Sequence, residues 1–126
     1  MAAGDLTPAE HYEIDKAIRA AEQTCRFEFS VFVGRSEEDP ALFARRLHAS
    51  LGTPARTVLV MVDRRARVLE VVTGAEVRRR LTDAEVRLAV LEMQSSFADG
   101  DVVGGLKHGI AMLAEHARAP RTLHAD

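Results

Sequence analysis

Several things are scarce in these 126 residues: there is one cysteine, there are two lysines, and no apolar run approaches the length of a membrane span. Each scarcity closes off a class of protein. Cys25 alone excludes an intramolecular disulfide and any multi-cysteine zinc site. At the end of an apolar helical stripe it reads as a buried structural thiol rather than a nucleophile. No segment reaches the roughly 18 apolar residues of a transmembrane helix, and no apolar run follows the opening MAAGDLTPAEHYE, so the chain is expected to be soluble and cytoplasmic. A net charge of -2 with a pI near 6.2 supplies no overall positive field, and nucleic acid is not an expected partner. Apart from Lys16 and Lys107 the basic residues are arginines, a bias that reads as the codon composition of a GC-rich genome and not as evidence for phosphate binding.

What is present is an ordinary globular composition, 47% hydrophobic and 29% charged. The length suits one core, so residues 1–118 are expected to form a single domain and 119–126 a disordered tail. The first helix opens at LTPAE, with Thr7 as cap, Pro8 at the first helical position and Glu10 closing a capping box. Ile14, Ala17, Ile18, Ala21 and Cys25 form its inward side. RFEFSVFVG alternates as a strand, with Phe27, Phe29, Val31 and Val33 on one face. Asp39 before Pro40 starts a second helix whose expected buried stripe is Leu42, Phe43, Leu47 and Leu51, with His48 beside it as a packing residue.

TVLVMVD is apolar at nearly every position, the mark of a central strand covered on both faces. RVLEVVTG alternates more, which suits an edge, and Asp63 to Arg67 make a tight hairpin between the two. A third helix starts at the Thr82/Glu85 capping box with Val86, Leu88, Ala89, Leu91, Met93 and Phe97 as its apolar positions. The fourth is capped by Asp101 and carries Val102, Val103, Leu106, Ile110, Met112 and Leu113. Its three glycines predict close packing against a neighbour. The order predicts an α/β fold, a three-layer α/β/α sandwich around a small mixed sheet, with a right-handed parallel crossover pair plus an antiparallel hairpin.

Two constellations could carry chemistry. Asp63 ends the central strand, where open α/β sheets place ligands; with Asp83, and with Asp99 and Asp101 of DGD, it could hold a hard cation such as Ca²⁺ or Mg²⁺. Structural roles compete for the same acids: Asp83 lies in the first turn of a helix, Asp101 suits a cap, and Asp63 is a common hairpin residue. Arg64 and Arg65 on the hairpin could hold a phosphate. Arg78, Arg79 and Arg80 follow at the other end of the last strand, and three consecutive helical residues splay over about 200°, so they read as solvated, pairing with Glu76 or Glu85. No nucleophile elbow surrounds a serine, no HExxH spacing joins the histidines, and Gly104-Gly105 lacks the Lys-Ser/Thr of a phosphate loop.

Taken in order, LTPAE, SVFVG, VLVMVDRRARVLEVVTG, LTDAEV and FADGDVVGGLKHGIAMLAEH resemble the TPM domain family and its actinobacterial relatives of unknown function, over about Leu6 to His116. The resemblance implies an α/β/α sandwich. Members of that family have been linked to phosphatase activity, to assembly and repair of membrane complexes, and to ion binding. Many follow a signal peptide and precede a membrane anchor or glycine-rich tail, and neither is visible here. The expected function is that of a small accessory or protein-interaction module with no cofactor and a protein as partner. The alternative is a metal-assisted phosphatase with Asp63 and Asp83 on Ca²⁺ or Mg²⁺ and Arg64 and Arg65 on the phosphate.

Overall fold

The computed structural model describes residues 1–120; of the tail expected to be disordered, 121–126 lie outside the described residues. In chain order the elements are β1 (Ala2–Gly4), α1 (Pro8–Cys25), β2 (Glu28–Val33), α2 (Pro40–Ala49), β3 (Thr57–Asp63), β4 (Val68–Thr73), α3 (Asp83–Ala98) and α4 (Val102–Ala117). Short 3-10 turns occupy Pro54–Arg56 and Val77–Arg79. No described helix is long and apolar enough to cross a membrane.

The strands lie in the order β1-β2-β3-β4, the first three parallel and the last antiparallel to β3. All seven residues of β3 are buried, as its unbroken apolar run predicts. The register stacks Val31, Val60 and Val71 in one row and Val33, Val62 and Leu69 in the next. These rows face a layer of α1, α3 and α4, where Ile14, Ile18, Met93, Leu106, Ile110 and Leu113 complete the core. On the other face Phe32 meets Phe43 of α2 edge-on, ring centroids 5.8 Å apart. The sheet is thus covered on both sides, and the fold is the expected mixed-sheet sandwich.

The strand β1 has no counterpart among the sequence expectations. Three residues of AAG carry no alternation, and only pairing with Val31 to Val33 makes them a strand. It adds a second parallel crossover through α1. Both crossovers step the same way across the sheet, yet α1 and α2 cover opposite faces, so they have opposite hands and one departs from the right-handed rule.

Both capping boxes form, Thr7 with Glu10 and Thr82 with Glu85. Asp39 and Asp101 cap α2 and α4. The glycines of α4 do admit a neighbour: a Cβ on Gly109 would lie 2.4 Å from the Met93 side chain, and one on Gly105 2.8 Å from Phe97. Two expectations about helix faces need correction. In α2 the buried residues are Ala44 and His48, the latter 9% exposed, while Leu42, Phe43, Leu47 and Leu51 are only half-buried, because a single helix over four strands leaves its flanks open. In α3 the inward positions are Val86, Ala89, Val90, Met93 and Phe97; Leu88 and Leu91 point away from the core.

Because Val60 is fully buried at the centre of β3, Val60→Asp is expected to abolish cooperative unfolding in a thermal melt followed by circular dichroism. An unpaired buried carboxylate costs several kcal/mol, a large part of a domain's stability. A folded variant with an unchanged melt would show that β3 is not the sheet's centre.

Candidate functional site

The carboxyl ends of the three parallel strands open together, and Asp63 sits there as the last residue of β3, 3% exposed. Its side chain is saturated. Oδ2 accepts from the Ser36 backbone N–H at 2.9 Å and from the Ser36 hydroxyl at 2.7 Å. Oδ1 accepts from the backbone N–H groups of Arg65 at 3.1 Å and Ala66 at 3.0 Å. One carboxylate therefore closes the β3–β4 hairpin and ties it to the loop after β2. The donors favour the charged form, so the backbone N–H of Ser36 first, then that of Ala66 and the Ser36 hydroxyl, hold its pKa down at about 2.

Arg64, Arg65 and Asp63 do share a crevice, together with Asp5 and Arg35, of about 220 Å³. Arg64 already faces Glu10, 3.5 Å away, and Arg65 is solvent-exposed. Asp83 is not in this neighbourhood. It starts α3, whereas the hairpin lies against the far end of that helix, at Phe97 and Ala98, some 22 Å along its axis. Asp99 and Asp101 lie at the hairpin end, Asp99 as an exposed C-cap and Asp101 with Oδ1 accepting from the Gly104 N–H at 2.9 Å. Among the described residues, no three His, Cys, Asp or Glu side chains gather as a metal-binding group.

The arginine triple is a 3-10 turn whose Val77 and Leu81 are buried as expected. Its expected ion pairs are not made: Glu76 pairs with Arg56 at 2.9 Å and Glu85 with His116 at 3.0 Å. Nor is Arg78 merely solvated, since its guanidinium donates to the Thr73 carbonyl. Cys25 is buried, and burial pushes its thiol pKa up, which suits a structural residue.

Two features of the surface escaped sequence reasoning. A mostly apolar cleft of about 550 Å³ opens between the hairpin and the α3–α4 turn, with Val62, Leu69, Phe97 and Val102 among its walls. Leu88 and Leu91 stand 53% and 62% exposed on the outer side of α3. Ala84, Leu88, Leu91, Ser95 and Ala98 recur at helical spacing of four and three, so they form one line diametrically opposite the core face. Ala98 also lines the cleft, which makes the exposed line continuous with it. The signal was present in the sequence: a helix with apolar residues all round has more of them than one core can take.

Fold and site together define a small α/β sandwich domain whose distinctive strand-end acid is spent on holding loops. The chain belongs to the family described as Domain of unknown function (DUF5130), whose model matches residues 5–114. It is 30% identical over 106 residues to the uncharacterized protein Rv2468c of Mycobacterium tuberculosis, covering 84% of this chain and 64% of that protein. The chain thus spans less than two thirds of that relative. Among solved structures it is similar to the BA42 protein of the psychrophilic Bizionia argentinensis, with a TM-score of 0.80, 21% identity, and 90% and 81% of the two chains covered. It also matches the N-terminal domain of cg2496 from Corynebacterium glutamicum, with a TM-score of 0.72, 16% identity, and 92% and 76% covered. At those identities the likeness is one of fold.

The depressed pKa of Asp63 has a consequence for acid stability. A carboxylate with a folded pKa below its ordinary 3.8 contributes stability that is present above 3.8 and is lost as pH falls through about 2. Wild-type stability is expected to decline across that window in urea titrations taken at successive pH values. Asp63→Asn should melt several degrees lower at neutral pH and lack that component, because an amide nitrogen turned toward the Ser36 N–H cannot accept from it. An unchanged melt in Asp63→Asn would refute the bracing role.

Proposed function

We propose that this domain works by binding, as a TPM-like accessory module for a protein partner, rather than by catalysis. The observation that carries the reading is the line of Leu88 and Leu91, more than half exposed, running into the apolar cleft at Ala98. Two large apolar side chains exposed side by side on one helix, with an apolar groove farther along the same face, suit a protein contact. The order of elements and the sandwich architecture support the TPM-like part of the reading.

The competing reading is a metal-assisted phosphatase, with Asp63 and Asp83 as ion ligands and Arg64 and Arg65 holding phosphate. Two observations weigh against it. Both oxygens of Asp63 already accept two hydrogen bonds each, so coordinating Ca²⁺ or Mg²⁺ would compete with those bonds on at least one oxygen, and Asp83 lies at the opposite end of α3.

The double variant Leu88→Glu, Leu91→Glu is expected to change stability by under about 0.5 kcal/mol per site, as exposed positions do. In its native cells, a photo-reactive residue at Leu91 should give one discrete crosslinked species that Leu88→Glu abolishes, while the same residue at exposed Arg19 gives none. Equal crosslinking at both positions, or a double variant that fails to fold, would overturn the docking role. Millimolar Mg²⁺ or Ca²⁺ should leave the melting temperature flat. A bound ion at a hundredfold excess over Kd would raise stability by about 2.7 kcal/mol, and an Asp63-dependent rise with phosphomonoester hydrolysis would replace the binding reading with the enzyme.

A further inference from the structure

On the α2 face of the sheet, at the end opposite Asp63, a crevice of about 400 Å³ lies between α2, the Pro54–Arg56 turn and the segment after β4. Arg45 and His48 line it from α2, and Arg78 from the far side. No carboxylate is among its walls. Neighbouring arginines are neutralised: Arg46 lies 3.4 Å from Glu38 and Arg56 2.9 Å from Glu76. Arg45 and Arg78 have no acidic partner among the described residues. In a chain of net charge -2, two guanidinium groups facing one cavity without a carboxylate leave a local positive potential for a ligand to neutralise.

We propose that this crevice binds the phosphate group of a small phosphorylated molecule. Arg78 is held in place because its guanidinium donates to the Thr73 carbonyl, which leaves its other N–H donors for an oxyanion. His48 is likewise fixed. Its Nε2 lies 2.9 Å from the Thr57 carbonyl, an acceptor only, so Nε2 carries the proton. Among the described residues no buried side-chain nitrogen lacks a partner, and Nδ1 makes no hydrogen bond there, so Nδ1 is open to solvent on a ring that lines the crevice. With its proton on Nε2, the ring has Nδ1 left to accept from a P–OH. The Ala75 N–H, in the turn lining the crevice, has no protein acceptor among the described residues and adds a backbone donor. The volume exceeds that of inorganic phosphate alone, which leaves room for the remainder of a small phosphomonoester.

The test is an amide NMR titration with inorganic phosphate at constant ionic strength, with sodium chloride as the control. Saturable shifts are expected at Gly74, Ala75 and Arg78, and ribose 5-phosphate should bind more tightly than phosphate. Arg45→Gln and Arg78→Gln should each weaken binding at least about tenfold, the loss of one charge-assisted contact. Arg79→Gln, exposed and outside the crevice, should leave it unchanged. Because Arg78→Gln also removes the bond to Thr73, Arg45→Gln, whose side chain makes no hydrogen bond among the described residues, is the deciding variant once its melt matches the wild type. Non-saturating shifts, shifts spread over every arginine, or saturable binding indifferent to Arg45→Gln would each overturn the proposal.

Discussion

A strand buried on both faces needs a layer of cover on each, and nearly everything else in this molecule answers that demand from β3. Its seven residues present Val58, Val60 and Val62 to one side and Leu59 and Met61 to the other, all at most 2% exposed. Hydrogen bonds to β2 and β4 satisfy its backbone, as a strand with no access to water requires. The first side chains are met by three helices. The second are met by α2 alone, and that asymmetry leaves α2 half open at its flanks, where Arg45 and His48 line the crevice.

Burying β3 completely also decides what its ends can do. Asp63 emerges where the apolar run stops, and the chain must turn at once into β4. The carboxylate meets the need by collecting four donors, so the residue best placed for ligand chemistry is the one the hairpin can least spare. At the other end, Gly74 lets β4 pass against Pro54 and Ala55; a Cβ there would lie 2.0 Å from the Pro54 carbonyl oxygen. That close crossing brings the turn carrying Arg78 across from α2. Surface chemistry at both ends thus follows from how the central strand is closed.

The helix α3 shows the same logic on the outside. Its inner positions Ala89 and Met93 are used up by α4 and the sheet, with Gly109 admitting Met93. Leu88 and Leu91 fall half a turn away. No rearrangement of this helix could bury both sets, because residues at helical spacing of three and four keep their own face. They stay at the surface, and the proposed docking role rests on them.

Local signals determined the elements by themselves. Capping residues marked where helices start, an unbroken apolar run marked the central strand, and alternation marked the edge, since each depends on side chains within a few residues of one another. The mixed sheet followed, because a helical crossover and a two-strand hairpin leave few topologies. Tertiary structure alone decided the rest. β1 exists only through its pairing with β2. Which face of α2 and α3 is buried depended on how many helices cover each side of the sheet. Whether Asp63 is free or a brace depended on Ser36, 27 residues away in sequence, and only the fold sets Arg78 in the same crevice as Arg45 and His48 of α2. Those residues meet across gaps that no spacing rule spans, because the backbone between them is placed by packing of the core rather than by its own letters.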